Sequence, residues 1–152
     1  MSERELADRL ALRTLVDRYA AAVDRRDADA FASLFLPAGV LAVYEDERAA
    51  AAVEYRGTRE LRDVMDLLRF YARTFHLMAN HLCEVDGDRA SGETYCLAHH
   101  LTQDERGLTD LLMLIRYRDA YARTAAGWRF ARRDVLREWT EERPAERRPL
   151  AR

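Results

Sequence analysis

Cysteine, proline and long apolar runs are all scarce in this sequence, and each scarcity excludes something. Cys83 and Cys96 are the only thiols, and no Cys-x-x-Cys pair occurs. Two isolated cysteines make neither a disulfide framework nor a zinc knuckle; they are expected as buried free thiols in a reducing, cytoplasmic setting. No apolar stretch approaches the roughly 20 residues that span a bilayer. The opening Met1-Ser-Glu-Arg-Glu-Leu6 is charged where a signal peptide would be apolar. Three prolines and six glycines in 152 residues leave no flexible linker, and there are no internal repeats, so one domain with one core is expected. Charge of one sign is also lacking. With 25 basic and 27 acidic residues interspersed, the net charge is -2 and the pI about 6.1. That leaves no basic stripe for nucleic acid. His81 and the His99-His100 pair have no acid or cysteine at ligand spacing, so no metal site is expected.

What is present is a 49% hydrophobic chain with a clear change of period. Leu12, Leu15, Val16, Tyr19, Ala22 and Val23 recur at three- and four-residue steps, which predicts a helix over residues 3–24. Tyr19 is the one polar-tipped side chain on that stripe. Asp24 lies off the stripe on an ideal wheel and can face the interior only if the helix ends near Val23. Asp27 stands where an N-cap belongs, ahead of a second helix over 28–35. Short strands are expected at 40–44 and 53–56. A third helix opens at Gly57-Thr-Arg-Glu60 with Thr58 as its cap, and Leu61, Met65, Leu68 and Tyr71 keep helical spacing to about Arg73.

After residue 74 the period shortens to that of strands: 75–85, then the turn Asp86-Gly-Asp88, then 89–102, 108–123 and 128–136. Helices first and a run of four strands after is an α+β layout, with helices on one face of a curved antiparallel sheet. Residues 1–140 are expected as one domain and 141–152 as a flexible charged tail.

Four stretches carry a resemblance. They are Tyr19-Ala-Ala-Ala-Val-Asp24 followed by Asp27 and Phe35; Tyr55-Arg-Gly-Thr58; His76-Leu-Met-Ala-Asn80; and Tyr117-Arg-Asp-Ala-Tyr-Ala-Arg-Thr-Ala-Ala-Gly-Trp-Arg-Phe130. In this order they resemble the SnoaL-like branch of the nuclear transport factor 2-like superfamily, over residues 4–140. The resemblance implies a cone of three N-terminal helices packed on a curved sheet, as in scytalone dehydratase, ketosteroid isomerase and the polyketide cyclases. Within that group the match is to lyases with an Asp–His dyad, such as lindane dehydrochlorinase and bile acid dehydratase. It implies that Asp24 orients His76, that Tyr19 takes the place of a polar residue five positions earlier, and that Arg133 completes the set. Tyr19 stands where the dehydrochlorinase has a lysine, which moves the match toward dehydration. The expected function is a cofactor-independent lyase acting on a hydrophobic ring-type small molecule. A cyclase or isomerase of the same fold, or a non-catalytic docking module, are the alternatives.

The residues support that chemistry in their own right. A neutral imidazole near pKa 6.5 is a good base at neutral pH, and a carboxylate on its other nitrogen fixes the tautomer and stabilises the imidazolium. An inward arginine can hold a developing oxyanion. A histidine bonded only to backbone and an exposed strand arginine are the structural alternatives. By alternation, Arg133 shares a face with Arg129, Ala131 and Val135, opposite Trp128 and Phe130. If Tyr95, Leu97 and His99 face inward they join the pocket wall, with His99 as a second acid or base. Met113, Ile115 and Tyr117 are further wall candidates. The last strands are apolar on both faces, which predicts a homo-oligomer, trimer or dimer.

Overall fold

The computed structural model describes residues 2–147. Helix α1 (Glu3–Arg25) leads into α2 (Ala28–Ser33), the hairpin β1 (Phe35–Tyr44) and β2 (Val53–Arg56), and α3 (Gly57–Leu67) with a 3-10 turn at Leu68–Phe70. Four long strands follow: β3 (Arg73–Asp86), β4 (Arg89–Asp104), β5 (Gly107–Thr124) and β6 (Gly127–Ala145). They form one curved, unclosed sheet of six strands in the order β2-β1-β6-β5-β4-β3. The α+β class is as expected, with three differences. Only α1, at 23 residues, is a long helix; α2 has 6 residues and α3 has 11, after the first hairpin. The sheet is mixed, because β1 runs parallel to β6. The last strand does not stop near 136: residues through Ala145 pair with β5, so the charged segment starting at 141 is strand for its first five residues. Residues 146 and 147 of that expected tail follow the strand without regular structure, and 148–152 lie outside the described residues.

Local chemistry explains the boundaries. Ser2 caps α1 by accepting from Glu5 N. Asp27, the cap that the sequence suggested for the second helix, accepts from Ala30 N. The second helix ends at Ser33 because Phe35 is taken into β1. Thr58 does not cap α3; the cap position is Arg56, whose N–H is bonded instead by Glu60. The first helix ends on Arg26, the one described non-glycine residue at positive φ (58°), whose N–H bonds back to Ala22 and Val23.

The buried stripe of α1 packs over the concave face of the sheet, where Leu12, Val16, Phe31, Leu61 and Phe130 are fully buried. The same helix also runs along the free edge of β3. Arg9 donates to Cys83 O, Arg13 to Ala79 O and Met78 O, and Asp24 accepts from His76 N. These side chains satisfy backbone groups that an open edge would offer to another chain. The buried Asp8 ties the start of α1 to the β5–β6 hairpin, bonding both Nη atoms of Arg123 at 2.7 Å and Trp128 Nε1 at 3.0 Å.

The Arg123 hydrogen bonds, set against burial, hold the Asp8 carboxyl down at about 2. A depressed carboxylate adds stability above its unfolded pKa, near 3.8, and that stability is lost as pH falls toward 2. Asp8→Ala is expected to cost roughly 1–3 kcal/mol at pH 7, mainly because the buried Trp128 indole N–H loses its acceptor, while Arg123 keeps Asp88 and the Gly87 carbonyl. Urea denaturation at pH 7 reads the loss. A change within about 0.5 kcal/mol, the ordinary range for surface substitutions, would mean that the triad does not hold the helix.

Candidate active site

The end of α1 and the start of β3 bring two predicted residues together. His76 Nδ1 lies 2.7 Å from Asp24 Oδ1, and His76 N donates to Asp24 Oδ2 at 2.9 Å. Thr74, two residues earlier on the same face, donates its hydroxyl to Asp24 Oδ1 at 2.9 Å. The Arg26 guanidinium donates in turn to Thr74 Oγ1, and also to the carbonyls of Val23 and Leu68. The left-handed turn at Arg26 therefore does two things: it ends the helix one residue past Asp24, and it delivers the cation that fixes Thr74. A carboxylate at a helix C-terminus is ordinarily disfavoured by the dipole; here three donors and the nearby cation offset that cost.

Burial works against the charge on Asp24, but the His76 side-chain and backbone hydrogen bonds, with Thr74, win and hold its pKa below the usual range. An ionised Asp24 accepts the Nδ1–H of His76, which leaves Nε2 as the basic nitrogen. The His76 side chain is 6% exposed, so its base is shielded from bulk water. His100 packs edge-on against it, with ring centroids 5.5 Å apart, and Tyr71 packs on His100 at 4.7 Å. Burial pushes the His100 pKa down to about 4, with His76 adding to the effect. His100 is thus a neutral wall beside the base. A cavity of about 440 Å³ opens on the Asp24 and Thr74 side of the pair, bordered by Arg26 and Tyr71; His76 itself is not part of its lining.

Tyr19 and Arg133 also come together, in a second cluster. Arg133 is fully buried, and its Nε and Nη2 each donate to Asp119 at 2.8 Å. Its guanidinium lies 4.2 Å from the rings of Tyr19 and Tyr117 and 4.3 Å from that of Phe130. Burial alone would lower the arginine's pKa, but Asp119 outweighs it and the group stays charged. Tyr121 donates to Asp119 at 2.8 Å and stands 3.4 Å from His81 Nε2. Gly92 makes room for that ring, since a Cβ there would meet Tyr121 and the Leu82 carbonyl at 3.0 Å. Burial raises the Tyr19 hydroxyl to about 12, so it keeps its proton. Cys96 stands between the clusters, within the electrostatic reach of both Arg133 and Asp24; burial raises its thiol to about 12. Both cysteines are free and buried.

Two face assignments are corrected. A one-residue bulge in β6 at Ala131 lets Tyr121 pair with Phe130 and Ala120 with Arg132. Arg133 therefore shares the inner face with Phe130 rather than opposing it. Tyr95, Leu97 and His99 face outward, away from the helices, while Thr94, Cys96, Ala98 and His100 face in. β4 alternates without a break along β5, with Cys96 opposite Ile115 and Ala98 opposite Met113, and a bulge in β3 between Met78 and His81 sets His76 opposite Ala98 instead of His99. His99 instead bonds Asp110 on the outer face, at 2.8 Å. Met113, Ile115 and Tyr117 do lie on the inner face, with Ile115 and Tyr117 in the core and Met113 packed against it. Sequence reasoning missed Asp119, Thr74 and Arg26. The alternation that picked 113, 115 and 117 would have reached Asp119 two residues on.

The chain belongs to the SnoaL-like family, whose domain model matches residues 4–134. It is 29% identical over 133 residues to the uncharacterized protein Rv2910c of Mycobacterium tuberculosis, covering 88% of this chain and 87% of that one. Solved structures with the same fold include a single-substitution variant of Rv3472 of M. tuberculosis, described as of unknown function, at 24% identity with TM-score 0.76 over 90% of this chain and 75% of that one. A type 2 hexachlorocyclohexane dehydrochlorinase, LinA, is 21% identical with TM-score 0.79 over 96% of both chains. A protein named as a candidate scytalone dehydratase from Novosphingobium aromaticivorans is 21% identical, with TM-score 0.79 over 100% of this chain and 99% of that one. The nuclear transport factor 2-like fold is thus shared with proteins named as a dehydrochlorinase and as a candidate dehydratase.

Proposed function

We propose that this protein is a cofactor-independent lyase of the dehydratase type, acting on a hydrophobic ring-type small molecule. The observation that carries the reading is the 2.7 Å contact between His76 Nδ1 and an Asp24 carboxylate whose other oxygen is held by the His76 backbone. That arrangement prepares one imidazole nitrogen as a base and keeps a counter-charge ready for the imidazolium. The buried, free cysteines and the dehydratase-type fold neighbours are consistent with it.

In the proposed reaction His76 Nε2 takes a proton from carbon next to a carbonyl. The C–H electron pair becomes the new double bond, the C–O bond on the neighbouring carbon breaks, and hydroxide leaves as water with a proton supplied by Tyr19 or returned by His76. Asp24 holds His76 and balances its charge. Arg133 is already neutralised by Asp119, so its role is a hydrogen bond rather than a free charge. Its Nη1 is buried without a partner and is the donor left over for an oxygen that becomes negative.

The test is a panel of cyclic β-hydroxy ketones, followed by the ultraviolet absorbance of the conjugated product, with wild type and His76→Ala side by side. Turnover by wild type alone is expected; equal rates in both would end the reading. Nitrogen-15 spectra of the ring provide a substrate-free check: His76 is expected as the Nδ1–H tautomer, and Asp24→Asn is expected to lose that tautomer preference.

A further inference from the structure

Glycine is the usual residue at a left-handed helix end. Here the position holds Arg26, at φ 58°. The turn itself needs no side chain: the Arg26 N–H bonds Ala22 O and Val23 O, and Asp27 N bonds Ala22 O at 3.0 Å. An arginine where glycine fits the backbone better points to a use for its guanidinium. That group is half-buried and reaches three segments at once. Its Nη1 donates to Val23 O on α1 at 2.9 Å and to Thr74 Oγ1 on β3 at 2.7 Å, and its Nη2 donates to Leu68 O on the 3-10 turn at 3.3 Å. All three acceptors are neutral. Burial lowers the arginine's pKa, and the charge on Asp24 opposes that.

Valence fixes the order of protons along this chain. An arginine only donates, so Thr74 Oγ1 accepts from it. The one hydroxyl proton of Thr74 is then directed to Asp24 Oδ1, at 2.9 Å. The same oxygen takes His76 Nδ1, and Oδ2 takes the His76 N–H. Without the hydroxyl, His76 is the sole support of Asp24 among the described residues, so the group to be oriented would have to hold the group that orients it. Thr74 is 8% exposed, which keeps water from standing in as the donor. A purely structural tie is a less complete account. Arg9 and Arg13 already fasten α1 to β3 by donating to strand carbonyls. Of these three arginines, only Arg26 donates to a hydroxyl that passes its own proton to a carboxylate. The other titratable groups around Asp24 are Arg73 on β3, Arg69 and Tyr71 at the 3-10 turn, and Cys96 on β4, with His100 of β4 against His76. They are the same in every variant below.

We propose that Arg26, acting through Thr74, is the positioning residue that locks the Asp24 carboxylate behind His76. Its effect on turnover rests on the lyase reading; its effect on Asp24 does not. The first measurement therefore needs no substrate: the carbon-13 shift of the Asp24 carboxyl followed against pH. Thr74→Val keeps a branched strand side chain and removes the donor. Arg26→Gly suits the left-handed turn and removes the cation. Each takes support from the charged carboxylate, so the Asp24 midpoint is expected to rise by roughly 0.5–1.5 pH units, and Thr74→Ser is expected to keep the wild-type midpoint. On a hydroxy ketone that the wild type turns over, Thr74→Val and Arg26→Gly are expected to lose roughly 3–30-fold in kcat with KM unchanged, while Thr74→Ser retains most of the rate. Folded variants with an unmoved Asp24 midpoint overturn the proposal. So does a raised midpoint with wild-type kcat where His76→Ala is inactive. If Thr74→Val fails to fold, Arg26→Gly carries the comparison alone. Should no hydroxy ketone turn over, the lyase reading fails, and the titration still decides whether Arg26 and Thr74 hold Asp24.

Discussion

His76→Ala is expected to fold as wild type and to lose roughly 10²–10⁴-fold in turnover, the range that a positioned general base supplies. The loss should fall on kcat, because His76 acts on the proton in flight rather than on substrate affinity. Asp24→Asn keeps the shape of the side chain and an acceptor for the His76 backbone N–H. It removes the charge that stabilises imidazolium, and one of its tautomer-setting contacts becomes donor against donor. Its loss is expected to be large but no greater than that of His76→Ala. The double variant should be little worse than His76→Ala, since two residues that act as one unit give strongly non-additive effects. Steady-state kinetics on a substrate from the hydroxy-ketone panel, with circular dichroism as the folding check, reads all three. Multiplicative losses in the double variant would break the dyad into two independent contributions.

The second large effect is on stability. Asp119→Ala is expected to cost roughly 3–5 kcal/mol, because it leaves the Arg133 cation inside the protein with its bidentate partner gone. Arg133 and Asp119 have fully buried side chains, and Arg133 Nη1 is already unpartnered, so no nearby acceptor takes over. Tyr121 loses its acceptor as well. Replacing the pair together, Arg133→Met with Asp119→Ala, is expected to recover most of the loss. The methionine then packs among the same Tyr19, Tyr117 and Phe130 rings without a charge to solvate. Urea unfolding monitored by fluorescence measures both. A single variant within about 1 kcal/mol of wild type, the size of an ordinary point substitution, would mean that water reaches Arg133. Recovered stability without recovered turnover would separate the structural work of Arg133 from its proposed part in catalysis.

Most of the elements could be read from local signals in the sequence. The 3.6-residue stripe of α1, the Asp27 cap, the hairpin turn at Asp86-Gly-Asp88 and the change of period after residue 74 are local signals, and the folded chain obeys them. Asp24 and His76 were singled out through the resemblance of their two motifs, since the helical wheel alone put Asp24 off the buried stripe. Which way the strands face depended on the folded sheet. Strand alternation has a period of two, so one extra residue reverses every side chain beyond it. The bulge between Met78 and His81 set His76 opposite Ala98, on the face that His100 shares, and the bulge at Ala131 brought Arg133 onto the face of Phe130. Neither bulge has a glycine or proline to announce it. The parallel pairing of β1 with β6 and the ion pair of Arg133 with Asp119 are contacts between distant parts of the chain. They follow from how the sheet curves over its core, which no window of neighbouring residues contains.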